Sequence, residues 1–351
     1  MYIPLVNIKK EFYNPPYYDL GLAFLRPILS FLVIMHHFHK YSLDTGIFKL
    51  FYERLINFTF HVPNFFIMAF YFSHKTLISK DYKKKLNRLK RLVIPYFLWP
   101  IIVYFLNKII SKYIKQNSII DLEDLKIQFL CGFKFIYSLW YQWNLVVITI
   151  FYMLILLILK KYINLVLILI AIQAFILQYN GNLYNYIYKF VDSRETLGKF
   201  IEMIPYSVTG FVIASSGILK YFKKYKIQLI IVYIYIIYFI CNNPVLSSAI
   251  GYGYGGLKLY IISTGIFISF AMFPSEKIKN KYIIKLVKLI TNHTAGIYYC
   301  HIIVYRYTQF YIQPIKDGTI KGCIIIYLIS YLICFIGSFI FGNTILRHLF
   351  E

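Results

Sequence analysis

The sequence predicts an all-α protein that crosses a membrane about ten times, with residues 1–351 forming a single transmembrane domain and no separate soluble domain. Three observations predict this fold class. Of the residues, 59% are hydrophobic and only 15% are charged, which is too apolar for a surface that faces water. Apolar runs of roughly 20 residues, the length that spans a bilayer, recur along the chain. Basic clusters fall between these runs.

Ten apolar runs are long enough, or nearly long enough, to cross the hydrocarbon core as helices. They lie at residues 22–42, 58–78, 92–111, 139–159, 162–179, 201–219, 227–242, 257–274, 289–311 and 322–342. The first run begins only after about twenty polar and aromatic residues and lacks a small-residue cleavage pattern. We therefore expect it to be retained as a helix rather than removed as a signal peptide.

The formal net charge of +24 would suggest a nucleic-acid-binding protein if the lysines and arginines shared an accessible face. They are instead grouped between apolar runs, so nucleic acid is not the expected partner. This grouping is typical of cytoplasmic loops beside anionic lipid headgroups, and a cytoplasmic N-terminus puts roughly twice as many basic residues inside as outside. We expect both termini in the cytoplasm and a multi-pass protein of the cell membrane, most simply the cytoplasmic membrane of a bacterium.

The first apolar run contains an arginine and two adjacent histidines, which are costly side chains to place within a bilayer. Arg26 and His37 are eleven residues apart, so about three helical turns return them to nearly the same face, where both can line one cavity. His36 is rotated roughly a quarter turn from His37 and is a further candidate for lining a cavity. Histidine can take a proton from a hydroxyl and return it to a leaving group near neutral pH. The alternative is that Arg26 reaches the headgroups and the histidines bond neighbouring helices.

An R-x-x-R pattern lies at the start of the third run. Arg88 and Arg91 are three residues apart, which places both guanidinium groups on one side of a helix, shortly before Pro95. The forked guanidinium group suits the oxygens of a phosphate or pyrophosphate, so both residues are candidates for binding a nucleotide. The alternative is a basic segment that only fixes the orientation of the chain in the membrane.

Further polar and aromatic side chains are candidates for lining the same cavity. They are Asn64 in the second run, Trp143 in the fourth run and His301 in the ninth run. His301 could face the cavity of His37, or it could be a core histidine bonded to a carbonyl group. The sequence has no cluster of His, Cys and acidic residues with the spacing that a metal needs, so no metal site is predicted.

These motifs resemble those of the acyltransferase-3 family of membrane O-acyltransferases, which modify polysaccharides, lipopolysaccharide and other glycans. The family's first span has arginine, ten residues and then histidine, as Arg26 and His37 do here. Its cytoplasmic R-x-x-R is matched by Arg88 and Arg91 in KKKLNRLKRLVIPY. The segment AGIYYCHIIVY is similar to a late span of the family, with His301 at the position of its histidine.

The second span departs from the family's pattern at one place. VPNFFIMAFYFSHK resembles the family's second span, but Ala69 and Phe70 stand where the family usually has a pair of small residues. The motifs follow the family's order over most of the chain. Ten spans with both termini inside is also the family's arrangement.

The resemblance implies an O-acyltransferase, most simply an O-acetyltransferase of a capsule, exopolysaccharide or other surface or lipid-linked polysaccharide. The donor would be acetyl-CoA or another acyl-CoA, bound as a substrate, with no permanently bound cofactor. Arg88 and Arg91 would hold its phosphates, His37 would act as a base or as an acyl relay, and Arg26 would orient the donor or the histidine. The implied partners are membrane lipid, acyl-CoA and a glycan or lipid-linked oligosaccharide.

Two other classes of function remain open from the sequence. A polysaccharide exporter or flippase would use the histidines, with Gln142 and Asn144, only to line its path, but it would not need a phosphate-binding pair of arginines. An ion-coupled transporter would be expected to carry carboxylates within its spans, and Glu202 is the nearest candidate.

Overall fold

The computed structural model describes residues 19–39, 44, 46, 59–113, 120–132, 134–136, 138–180, 194–225, 231–236, 254–274, 278, 280–341, 344, 346 and 349–350. Within these residues the regular structure is helical, as the sequence predicts. The helices are α1 (Leu20–Phe38), α2 (His61–Ile78), α3 (Tyr82–Tyr113), α4 (Leu122–Cys131), α5 (Leu139–Ile158), α6 (Ile163–Tyr179), α7 (Arg194–Ser216), α8 (Leu219–Lys224), α9 (Leu257–Ala271), α10 (Lys281–Thr291), α11 (Thr294–Thr308), α12 (Gln313–Lys316) and α13 (Ile320–Ile340). A 3₁₀ turn at Lys160–Tyr162 separates α5 from α6, and residues 231–236 are also helical.

Four of the described helices are long and apolar enough to cross a membrane, namely α1, most of α3, α5 and α13. The apolar helices α6 and α9 are shorter. These helices support a multi-pass membrane protein, whereas the count of about ten spans and the cytoplasmic position of both termini stay predictions. The predicted span at 227–242 lies largely outside the described residues.

Two predicted spans have different boundaries in the structure. The third belongs to the longer helix α3, which begins at Tyr82, so the R-x-x-R motif is itself helical. The ninth is divided, because α10 ends at Thr291 and α11 begins at Thr294. Helix α10 exposes its lysines and buries only Val287 and Thr291, and Val287 packs against the start of α1. A helix with so many exposed charges is not a continuation of a buried span.

Helix α2 lies at the centre of the bundle. It packs most extensively against α7 and also contacts α1, α5 and α9. All residues of α7 from Ile201 to Gly210 are buried. The backbones of α2 and α7 meet at Gly210, where a β-carbon would stand 2.1 Å from the carbonyl oxygen of Ile67. Glycine is required for this approach, since the contacting atoms are backbone and cannot rotate away.

Replacing Gly210 by valine is therefore expected to destabilise the bundle strongly. The added side chain has to separate α2 from α7, and overpacking of this kind costs about 3 kcal/mol or more. The measurement is the midpoint of thermal unfolding of the purified protein in detergent. Ser216→Ala, an exposed position at the end of the same helix, is the control and should leave the midpoint nearly unchanged. An unchanged midpoint for Gly210→Val would contradict the close packing of α2 and α7.

Candidate active site

The last turn of α1 places its two histidines against histidines of two other helices. His37 stacks nearly parallel on His301 of α11, with ring centroids 5.5 Å apart and planes inclined by 18°. On its other side, His37 lies 5.6 Å from His36, and His36 lies 5.1 Å from His61, the first residue of α2. We call these four rings, in the order His301, His37, His36 and His61, the histidine row.

The structure thus brings together the three predicted histidines and adds one that the sequence did not single out. His61 begins the segment HVPNFF, and it lies 24 residues after His37 with no periodic relation to it. The sequence signal that could have found it is an ionisable side chain at the start of an apolar run. The structure buries this side chain, because His61 is only 2% exposed. The row therefore draws on three helices, α1, α2 and α11.

His301 has one nitrogen bonded and one without a partner. Its Nδ1 lies 3.2 Å from the carbonyl oxygen of Ile297, one helical turn earlier. Because a carbonyl oxygen can only accept, Nδ1 carries the hydrogen and Nε2 keeps its lone pair. Nε2 is fully buried and has no hydrogen-bond partner among the described residues. The core-histidine interpretation accounts for Nδ1 but leaves Nε2 available for a reaction.

Arg26 lies toward the opposite end of α1 from the histidines. Arg26 precedes His37 by eleven residues, which corresponds to about 16 Å along the helix axis. Its guanidinium carbon lies over the ring of Phe72 in α2, 4.7 Å from the centroid. Helix α2 therefore contacts α1 near both of these side chains, because His61 lies beside His36 and Phe72 lies beside Arg26.

The two members of the R-x-x-R motif have different surroundings. Arg88 is half-buried and turns toward α2, where Nη2 lies 3.5 Å from the carbonyl oxygen of Ala69 and the group faces the ring of Phe70 at 5.8 Å. Its Nε is buried and makes no hydrogen bond within the described part of the chain. Arg91 is exposed. The departure from the family's second-span pattern, at Ala69 and Phe70, is thus located where Arg88 makes its contacts.

Two tyrosines connect the arginines with the histidine row. Tyr141 of α5 interacts electrostatically with Arg88 and Arg26, and its ring lies 4.9 Å from that of Tyr298 in α11. Tyr298 in turn lies 5.9 Å from His301. Both tyrosines are more than nine-tenths buried. A wall of aromatic rings therefore leads from the arginines to the histidines.

The remaining predicted cavity residues lie near this wall with different degrees of burial. Asn64 is fully buried on α2; its Nδ2 donates to the carbonyl of Phe60 at 2.9 Å, and its Oδ1 has no partner among the described groups. Trp143 is half-buried on α5. Asn144 beside it is fully buried, and neither its oxygen nor its nitrogen has a hydrogen-bond partner in the described residues.

A buried lysine near the row was not predicted as a site residue. Lys199 of α7 is 5% exposed, and its ammonium group lies 4.7 Å from the ring centroid of Trp140. It interacts electrostatically with His37. In the sequence Lys199 stands just before an apolar run, where a lysine is typical of a loop. Only the folded structure shows that this lysine is buried.

Two polar residues that would suit a transporter are engaged in hydrogen bonds between elements. Gln142 donates to the carbonyl oxygen of Leu92 in α3 at 2.7 Å and accepts from the hydroxyl of Tyr299 in α11. The carboxylate of Glu202, fully buried on α7, accepts from the backbone N–H of Tyr254 at 3.3 Å. These bonds give both residues a structural role.

Long apolar helices that enclose buried or half-buried histidines and arginines are typical of a multi-pass membrane protein with a polar interior. Comparisons with curated proteins and with solved structures give no match. The acyltransferase-3 family model, described as an acyltransferase domain, matches residues 19–343, nearly the whole chain. The chain belongs to this family and is a membrane acyltransferase.

Proposed function

We propose that this protein is a membrane O-acyltransferase that moves an acyl group, most simply acetyl, from acyl-CoA to a hydroxyl group of a surface or lipid-linked polysaccharide. The observation that carries the proposal is the stack of His37 on His301, joined to Arg26 and Arg88 by the aromatic wall. Membership of the acyltransferase-3 family supports the reaction class.

Coenzyme A matches the length and polarity of this arrangement. Its phosphates are concentrated at one end and its thioester lies at the end of a long flexible arm. Arginines at one end and histidines about 16 Å along α1 suit such a ligand. In this proposal Arg88 and Arg91 bind the phosphates, Arg26 orients the arm, and the thioester reaches His37.

The reaction then follows ordinary acyl-transfer chemistry. His37 takes the proton of the acceptor hydroxyl, the oxygen attacks the thioester carbonyl, and the C–S bond breaks. The thiolate takes up the proton, which leaves an ester and free coenzyme A. A variant of this scheme has the acyl group pass through a bond to His37. Mass spectrometry of enzyme quenched during turnover tests it: an acylated His37 supports the covalent route, and its absence supports direct attack.

A glycan acceptor is supported by the family's known substrates, which include polysaccharides and lipopolysaccharide. The test is a deletion of the protein, with the ester content of the isolated surface polymer measured by mass spectrometry or NMR. We expect ester groups to disappear from one polymer and to return when the wild-type chain, but not His37→Gln, is supplied. Unchanged ester content in all surface polymers would contradict the glycan acceptor.

A further inference from the structure

We propose that the histidine row acts as one proton-sharing unit, in which His36 and His61 share the proton that His37 takes from the acceptor hydroxyl. This inference rests on the proposed acyltransferase function and deepens it. It assigns a role to His61, the member of the row that the sequence motifs do not include. It also explains why two adjacent histidines end α1, where one would suffice as a base.

The spacing of the rings suits proton transfer. Successive centroids in the row are 5.1 to 5.6 Å apart. The described residues include no direct hydrogen bond from His36 to His37 or to His61, so we infer that a bridging water carries the proton between neighbouring ring nitrogens. A neutral imidazole has one N–H donor and one acceptor nitrogen, so it can receive a proton on one side and release one on the other. In the described residues no three side chains of metal-binding type converge on a common point.

The two ends of the row differ in what they can do with a proton. At one end, the Nδ1–H of His301 is committed to the carbonyl of Ile297, so a proton that reaches Nε2 cannot pass further. At the other end, His36 is half-buried and touches His61, which is 2% exposed. The direction open to a proton from His37 is therefore toward His36 and His61.

Sharing lowers the cost of charging a ring inside the bundle. A full positive charge on one buried side chain is expensive. Lys199 of α7 interacts electrostatically with His37, as do His301, His36 and His61. Distribution of the proton over His36 and His61 moves part of the positive charge onto α2.

Atoms and electrons balance within the acyl transfer. The new C–O bond forms with the electron pair of the acceptor hydroxyl, and the C–S pair leaves with the sulfur. The proton moves from the hydroxyl to His37, is shared with His36 and His61, and returns through His37 to the thiolate. No oxidant, reductant or further reactant is needed.

The test is the rate of acyl transfer from acetyl-CoA to a glycan acceptor by purified protein in liposomes, measured in mixtures of light and heavy water. For His61→Gln we expect kcat to fall about ten- to a hundredfold, with the KM for acetyl-CoA unchanged. A plot of the wild-type rate against the fraction of deuterium in the solvent should be curved, because several protons move together. In His61→Gln the dependence should become linear, and added imidazole should restore part of the rate of His61→Ala.

His74→Gln is the matched control, since His74 lies on the same helix and packs on Phe211 rather than in the row. It should keep both the wild-type rate and the curved dependence. If His61→Gln behaves like His74→Gln while the wild type transfers acetyl, the proton-sharing role is overturned and the acyltransferase stands. If the wild type transfers nothing, the proposed function itself fails. Should His61→Gln not fold, His36→Gln is expected to give the same linear dependence.

Discussion

Replacing His37 by glutamine is expected to lower acyl transfer about a thousandfold, within the range that a general base contributes. Glutamine keeps a polar side chain of similar reach but cannot take up a proton. The effect should fall on kcat, because His37 acts on the hydroxyl and the thioester rather than on the phosphates of the donor. The measurement is the steady-state rate of label transfer from acetyl-CoA, with the KM for acetyl-CoA determined in parallel.

His293→Gln is the control for this substitution. His293 caps the start of α11, and its Nδ1 lies 3.2 Å from the carbonyl oxygen of Phe350, well away from the row in its contacts. It is expected to retain nearly full activity. A His37→Gln variant that folds and transfers acetyl at the wild-type rate would remove His37 from the mechanism and, with it, the whole row.

Replacing Arg88 by glutamine is expected to raise the KM for acyl-CoA about a hundredfold, which corresponds to about 2.7 kcal/mol for charge-assisted bonds to phosphate. The expected rise in KM is large because Arg88 is partly buried. Arg88 is directed into the bundle beside Ala69 and Phe70, where water screens its charge poorly. Arg91 is exposed, so Arg91→Gln should raise the same KM less than about tenfold.

A donor without the nucleotide separates phosphate binding from other effects. With acetyl-pantetheine, which lacks the nucleotide phosphates, wild type and Arg88→Gln should show the same KM. Lys90→Gln, an exposed charge on the same helix, controls for the loss of one positive charge from α3. Equal effects of Arg88→Gln and Arg91→Gln would contradict the different roles that their burial assigns to them.

The parts of the site that the sequence predicted depend on local periodicity. Arg26 and His37 share a run, and eleven residues return a helix to the same face whatever surrounds it. The apolar runs themselves predict helices because a bilayer leaves the backbone few alternatives. For this reason most predicted runs coincide with helices wherever the structure describes them.

The parts that the sequence did not predict depend on contacts between distant segments. His61 reaches His36 only because α2 packs against α1, and Lys199 lies over Trp140 of α5 only because α7 packs against α5. No spacing rule connects such pairs. The i, i+3 spacing of Arg88 and Arg91 also does not predict that Arg88 is half-buried and Arg91 exposed. The packing of the neighbouring helix decides this difference.

The break between α10 and α11, near the start of the ninth run, has a local cause. Three exposed lysines of α10, Lys281, Lys285 and Lys288, follow one another at helical spacing before the turn at Asn292. They give this segment a charged face that a buried span would not carry. The predicted ninth run starts after these lysines, at residue 289, so it contains only the last three residues of α10 before α11 begins.

The most direct test of the central claim is transfer of radiolabelled acetyl from acetyl-CoA by the purified protein in liposomes that contain a glycan acceptor. The account predicts label in the glycan with the wild type and almost none with His37→Ala or Arg88→Ala at low donor concentration. If the wild type incorporates no label with any acceptor, yet carries glycan chains across the vesicle bilayer, the acyltransferase account is wrong and a polysaccharide exporter takes its place.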